Sequence, residues 1–135
     1  MEKIANELKG INTVAIAGHV RPDGDCVGSC MGLYLYLKEN YPDIAADVYL
    51  EQPGAQFSFL SCFEEIKTVY QTGKVYDLLI TLDVSDKNRI GVAEEAYETA
   101  KKRVCIDHHI SNRGLGDVNE IRPDASSTCE VYTHF

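Results

Sequence analysis

Near its N-terminus the chain reads Thr13-Val14-Ala15-Ile16-Ala17-Gly18-His19-Val20-Arg21-Pro22-Asp23-Gly24-Asp25-Cys26-Val27-Gly28-Ser29. This stretch begins with a continuous apolar run, which predicts a strand that is buried on both faces, as in a parallel sheet. The run ends at His19, and a turn then brings Asp23 and Asp25 to the start of a new helix. Imidazole and carboxylate groups so close together are typical ligands of divalent metal ions.

Two later apolar runs end in residues of the same kind. Residues 76–82 predict a strand that ends at Asp83, and residues 103–106 predict another that is followed by Asp107, His108 and His109. In open α/β sheets, ligands bind beyond the carboxyl ends of the strands. The sequence therefore predicts that one edge of the sheet collects His19, Asp23, Asp25, Asp83, Asp107, His108 and His109.

The rest of the chain alternates strands with helices. Helices are expected over residues 2–8, 27–40 and 92–101, and a helical turn over 57–63. Further strands are expected over residues 45–50, 66–70 and 117–121, and a capping box over 126–130 marks the start of another helix. This order predicts an α/β fold with a mostly parallel sheet flanked by helices, and a metal site at the C-terminal ends of the strands.

Composition narrows the range of partners. The chain has 135 residues and a net charge of −8, which argues against binding duplex nucleic acid through a basic face. No apolar run approaches the length of about 20 residues that a membrane-spanning helix needs. The five cysteines are odd in number and form no CxxC pair, so we expect reduced thiols. These features predict a cytoplasmic protein without a membrane partner.

The predicted cluster suits two-metal chemistry. Bare carboxylates at one edge would repel one another, and a pair of divalent cations removes that repulsion. Two ions about 3.5–4 Å apart can bridge an activated water and clamp a phosphoryl group. Asp83 is the best-placed bridging ligand, and His109 and Arg89 can assist the leaving group. Oxygen-rich sites with imidazole suit manganese, magnesium or iron, and the prediction includes no cysteine.

Other motif families fit less well. Asp23-Gly24-Asp25 on its own is a common turn. An EF-hand loop would need glutamate at its twelfth position, where the chain has Tyr34. The spacings GxGxxG and GxSxG are absent. Phosphatases with an aspartyl nucleophile place it directly after the strand, whereas Asp23 follows Gly18 by five residues.

Three ordered motifs resemble a known family. They are His19-x-x-x-Asp23-Gly24-Asp25-x-x-Gly28-Ser29, Leu82-Asp83-x-Ser85-Asp86 with Arg89, and Asp107-His108-His109-x-x-Asn112. Together they resemble the first three motifs of the DHH phosphoesterase superfamily. The similarity extends over residues 13–130 and is greatest to the bacterial branch that degrades very short oligoribonucleotides and dephosphorylates 3′-phosphoadenosine 5′-phosphate.

The resemblance implies a metal-ligand set. His19 and Asp23 would bind one ion, Asp25 and His108 the other, and Asp83 would bridge the two. The expected cofactors are two divalent ions, with Mn²⁺ ahead of Mg²⁺ or Fe²⁺.

The resemblance also implies roles around the metals. Asp107 would orient His108 from behind, and His109 would contact the substrate phosphate or assist the leaving group. Independently of the resemblance, the residues themselves make Arg89 a candidate positive partner of the leaving group, and Asn112 is expected to contact substrate or hold its loop in place.

The implied function is a phosphoesterase acting on short oligoribonucleotides, nucleoside 3′,5′-bisphosphates or both. The alternatives are a cyclic-dinucleotide phosphodiesterase or pyrophosphatase of the same superfamily, and a non-catalytic metal- or nucleotide-binding module. The family also has a fourth aspartate and a C-terminal substrate-binding domain beyond the third motif. We therefore expect residues 1–135 to be an incomplete N-terminal catalytic domain with little activity of its own. A homodimer is left open.

Overall fold

One five-stranded sheet forms the centre of the computed structural model, which describes residues 2–125, 127 and 128. The strands run in the order β2-β1-β3-β4-β5, and every registered pair is parallel. Their bounds are Thr13–Ala17 for β1, Ala45–Tyr49 for β2, Leu78–Leu82 for β3, Lys102–Asp107 for β4 and Val118–Ile121 for β5. The predicted α/β class with a parallel sheet is confirmed.

Helices flank this sheet. They are α1 (Glu2–Glu7), α2 (Gly24–Asn40) and α3 (Glu94–Thr99). Short 3₁₀ turns lie in the connections, at Ala55–Phe57, Phe63–Glu65, Lys87–Arg89 and Gly91–Ala93.

Two apolar clusters cover the two faces of the sheet. On one face, Ile16 and Ile80 pack with Leu33 and Leu37 of α2. On the other face, Leu79 packs with Ala96 of α3. Successive strand side chains point to opposite faces, so a strand between two helical layers needs apolar residues at every position. All five residues of β3 are buried, which explains its unbroken apolar run.

Helix α2 begins three residues earlier than the sequence predicted. Its N-terminal cap is Asp23, whose Oδ1 accepts a hydrogen bond from the Cys26 amide at 3.0 Å. Such a cap satisfies a backbone donor of the first turn, so the helix starts at Gly24. One aspartate of the turn therefore fixes the position of the helix as well as facing the sheet edge.

The predicted strand over residues 66–70 is wrong. This segment makes a single parallel bridge, between Lys67 and Tyr49, and Val69 is 79% exposed. It buries too little apolar surface to extend the sheet. The predicted helical turn over 57–63 is replaced by the 3₁₀ turns on either side of it.

The helix predicted over residues 92–101 is shorter in the structure. It begins at Glu94, because Gly91 adopts a left-handed φ of +68° and leads into a 3₁₀ turn. The capping box predicted over 126–130 lies outside the described residues, apart from 127 and 128.

Gly18 provides a test of the packing between β1 and α2. A Cβ atom there would overlap the Sγ of Cys26 and lie 2.8 Å from Leu50 Cδ2, whereas a Cβ at Gly28 would meet nothing within 4 Å. We expect Gly18→Ala to lower the free energy of unfolding by about 1–3 kcal/mol, as overpacking does. The matched Gly28→Ala should raise it by about 0.5–1 kcal/mol, because alanine favours a helix interior. Urea denaturation measures both, and equal stabilities would contradict the packing described.

Candidate metal centre

Asp83 lies at the centre of the sheet edge. It follows the last residue of β3, the middle strand, and is 3% exposed. Its φ of +64° places it in the left-handed region, which costs a non-glycine residue about 1–3 kcal/mol. The Asp83 amide donates to the Ile106 carbonyl at 3.0 Å, which ties this turn to β4. The surrounding structure therefore holds the carboxylate in one direction.

Three imidazoles surround the Asp83 carboxylate. Nε2 of His19 lies 3.2 Å from Oδ2, whereas Nε2 of His108 and Nδ1 of His109 lie 3.6 and 3.9 Å from Oδ1. Nδ1 of His19 lies 2.7 Å from the Val20 carbonyl, to which only a protonated nitrogen can donate. This bond leaves Nε2 of His19 directed at the carboxylates.

The two aspartates of the turn lie on opposite sides of Asp83. Asp23 Oδ1 is 3.7 Å from Nε2 of His19, and Asp25 Oδ2 is 3.4 Å from Nε2 of His108. The structure thus forms two histidine–aspartate pairs with Asp83 between them. All five residues were predicted from sequence as metal ligands, and the structure brings them together.

Asp107 is fully buried and makes hydrogen bonds through both of its oxygens. Oδ1 accepts from Nδ1 of His109 at 2.7 Å, and Oδ2 accepts from the Asn112 amide at 2.9 Å. The sequence suggested that Asp107 orients His108, whereas its hydrogen bond goes to the neighbouring His109. The side-chain amide of Asn112 also donates to the Val84 carbonyl at 3.1 Å, so it holds its loop against the segment that follows β3.

A cavity of about 120 Å³ opens beside the first histidine–aspartate pair. Its lining residues are His19, Asp23, Asp83, Ser85, Arg89 and His109. Arg89 reaches this cavity from the end of a 3₁₀ turn. Its backbone carbonyl accepts a hydrogen bond from the Val20 amide at 2.7 Å. The cavity therefore brings together the two residues that the sequence singled out for substrate, Arg89 and His109.

Thr128 was noted from sequence only as part of a capping pattern that also resembles the family, and no role in the site was assigned to it. This buried residue places its hydroxyl 3.0 Å from Asp83 Oδ1 and 3.4 Å from Asp107 Oδ1, and its amide donates to Asp25 Oδ2 at 3.0 Å. The capping pattern over 126–130 was the available signal, but it says nothing about which carboxylates the segment approaches.

Sequence reasoning also left Cys26 out of the site. One ligand atom from each of Cys26, His19 and Asp83 lies within 4.8 Å of the others. The thiol of Cys30 and the imidazole of His19 lower the pKa of Cys26, against the opposing effect of burial. A buried cysteine in an apolar helix is usually a core residue, so its sequence context gave no other signal.

The donors fit divalent cations. A second group, formed by Asp83, Asp107, His108 and His109, also has ligand atoms within 4.8 Å of one another, and Asp83 belongs to both groups. The hydrogen bond to Asp83 is the main cause that raises the pKa of His19 to about 11. A proton on this imidazole therefore balances part of the negative charge of the carboxylates. A bound cation would balance the same charge. Carboxylate and imidazole ligands in this number suit a divalent metal ion.

Comparison with known proteins identifies the family. The model of the DHH family, N-terminal domain, matches residues 13–135. The chain belongs to the DHH family. The assignment made from the three sequence motifs is confirmed.

Relatives in this family carry a common description. The chain is 31% identical over 121 residues to the bifunctional oligoribonuclease and PAP phosphatase NrnA of Bacillus subtilis, covering 89% of this chain and 36% of that protein. It is 30% identical over 134 residues to the protein of the same description from Thermus thermophilus, covering 97% and 39%. A probable NrnA of Streptococcus mutans is 28% identical over 132 residues, covering 98% and 41%. The chain thus spans 36–41% of the length of these relatives.

A solved structure shares the fold. An exopolyphosphatase-related protein from Bacteroides fragilis superposes with a TM-score of 0.83, covering 96% of this chain and 40% of that one at 23% identity.

Among the helices of the described residues, none has the length and apolar character needed to cross a bilayer.

Thr128 offers a test of the site's geometry in the absence of metal. Thr128→Val removes the hydroxyl that faces Asp83, and a lost hydrogen bond to a charged group costs about 1.5–3 kcal/mol. We expect the free energy of unfolding to fall by that amount, and Thr128→Ser, which keeps the hydroxyl, to lose less than half as much. Chemical denaturation in the presence of a chelator measures both variants. Equal losses would show that the methyl group, not the hydroxyl, is what matters.

Proposed function

We propose that this chain carries the catalytic site of a metal-dependent phosphoesterase that hydrolyses short oligoribonucleotides and nucleoside 3′,5′-bisphosphates. The observation that carries the proposal is the buried carboxylate of Asp83 between two histidine–aspartate pairs. Family membership and the names of the relatives support the substrate class.

Asp83 and the four residues of the two histidine–aspartate pairs would hold two divalent ions. His19 and Asp23 would bind one ion, Asp25 and His108 the other, and Asp83 both. When bound, the ions would lower the pKa of a coordinated water molecule and offset the charge that develops on a phosphoryl group. Manganese as the bound ion and a cytoplasmic location are predictions that come from the sequence, which leaves a homodimer open.

His109 and Arg89 would act on the substrate. Asp107 holds Nδ1 of His109 at 2.7 Å, which leaves Nε2 to donate a proton to the leaving oxygen. The side chain of His109 is 43% exposed, so a substrate can reach it. The guanidinium of Arg89 lines the same cavity, and its planar set of donors suits a phosphate group.

The charge balance favours a small phosphate end over a duplex. With a net charge of −8, the chain repels an extended polyanion. Positive charge would act on the substrate only locally, through the ions and Arg89. The names of the relatives favour oligoribonucleotides and 3′-phosphoadenosine 5′-phosphate over the cyclic dinucleotides and pyrophosphate considered as alternatives.

Asp83→Asn tests the bridging role. We expect Mn²⁺ affinity to fall more than about 100-fold at both metal positions. This loss exceeds the one expected when the residue removed is only hydrogen-bonded to a metal ligand. Asp43→Asn is the matched control, because Asp43 is exposed and precedes β2, where the amino ends of the strands lie, opposite the proposed metal site. Titration calorimetry with Mn²⁺ measures both variants. Unchanged affinity at either position in Asp83→Asn would contradict the bridging role.

His109→Gln separates substrate chemistry from metal binding. We expect hydrolysis of 3′-phosphoadenosine 5′-phosphate to fall by about 10²–10⁴-fold, the usual contribution of a general acid. Mn²⁺ affinity should stay close to that of the unmodified protein. A parallel loss of Mn²⁺ affinity would instead identify His109 as a metal ligand.

A further inference from the structure

A sulfur atom lies behind the first histidine–aspartate pair. Cys26 is the third residue of α2 and is fully buried. Its ligand atom lies within 4.8 Å of one atom each from His19 and Asp83. The amide of Cys26 donates to Asp23 Oδ1 at 3.0 Å, so the same residue also holds the aspartate that faces His19. Three different donor types therefore meet at this point.

Gly18 makes the room that this sulfur occupies. A Cβ at Gly18 would overlap the Cys26 Sγ, so a larger residue directly before His19 would displace the sulfur. The end of β1 and the first turn of α2 thus approach each other closely enough to bring a thiol beside an imidazole. The position of the sulfur therefore depends on the absence of a Cβ at Gly18.

We propose that Cys26 is a fourth ligand, beside His19, Asp23 and Asp83, of the metal ion on this side of the site. Consequently, this position would prefer zinc, cobalt(II) or iron(II) over magnesium. The inference rests on the proposed function, since it concerns one of its two ions. Binding would release two protons to solvent, one from the Cys26 thiol and one from Nε2 of His19, and metal–sulfur and metal–nitrogen bonds would form in their place. It replaces the expectation, drawn from sequence, of a site without cysteine.

The chemistry of the donor set supports this preference. Thiolates select softer ions, whereas carboxylates and water suit magnesium and manganese. Imidazole, thiolate and carboxylate are all established ligands of four-coordinate zinc. On the other side of Asp83, the second group of donors contains no sulfur among the described residues. The two positions would therefore differ in the ion that each prefers.

Two other buried cysteines serve as controls. Cys30 lies one turn further along α2, and Cys105 lies in β4. Both are fully buried, but neither belongs to the donor groups around Asp83 in the described part of the chain. Replacing either one removes a buried sulfur without removing the proposed ligand.

Cobalt(II) provides a direct probe of the bond. We expect Co²⁺ added to the metal-free protein to produce sulfur-to-cobalt charge-transfer absorption in the near ultraviolet. Cys30→Ala and Cys105→Ala should keep this band, and Cys26→Ser should lose it while still binding Co²⁺ in calorimetry. The ratio of Zn²⁺ to Mg²⁺ affinity in Cys26→Ser should fall at least about 10-fold, the smallest loss seen when only a partner of a ligand is removed.

A second measurement needs no change at Cys26, in case its variants do not fold. Zinc X-ray absorption of the zinc-loaded protein should show a sulfur neighbour at about 2.3 Å, retained in Cys30→Ala. Nitrogen and oxygen neighbours alone would overturn the proposal. So would Co²⁺ binding without the charge-transfer band, which would leave the proposed function standing. Failure to bind any divalent ion would overturn both.

Discussion

The buried carboxylate of Asp83 is the group on which the rest of the site depends. A buried carboxylate needs compensating partners, since its charge is costly to remove from water. Here His19 and the hydroxyl of Thr128 lie within hydrogen-bonding distance of its two oxygens, at 3.2 and 3.0 Å. Its left-handed backbone conformation is locally unfavourable, and the neighbouring strands hold it in place. Site geometry and backbone strain are thus concentrated in one residue.

The topology of the sheet explains why the partners of Asp83 converge. Because β3 lies between β1 and β4, the residues that follow those two strands fall on either side of Asp83. His19 comes after β1, and His108 comes after β4. Helix α2 then directs its first turn at the gap, with Asp23 as its cap. The chain order of the motifs therefore becomes a spatial order around one carboxylate.

The sequence predicted the elements that have an unbroken apolar pattern. Strands β1, β3 and β4 are buried on both faces, so their runs were visible without alternation, and the polar residues after them pointed to the sheet edge. The start of α2 was placed too late, because an aspartate in a turn and an aspartate that caps a helix look alike in sequence. Segment 66–70 was apolar enough to predict a strand but pairs at Lys67 alone.

Contacts between distant segments were beyond what the sequence could predict. Thr128 reaches Asp25 across 103 residues of chain, and no local pattern encodes such a contact. Cys26 resembles an ordinary core residue until the position of Gly18 is known. Likewise, the choice of Asp107 between two adjacent histidines depends on the turn after β4. The sequence therefore predicted which types of residue form the site. Which of them contact one another could be seen only in the folded structure.

We propose that the carboxylate of Asp83 binds two metal ions at once. An anomalous-difference map, recorded at the cobalt edge from crystals grown with Co²⁺, would locate both ions, because Co²⁺ accepts oxygen, nitrogen and sulfur ligands. We expect two peaks about 3.5–4 Å apart, with the Asp83 carboxylate in contact with both. A single peak at the sheet edge, or two peaks of which only one contacts Asp83, would contradict this proposal.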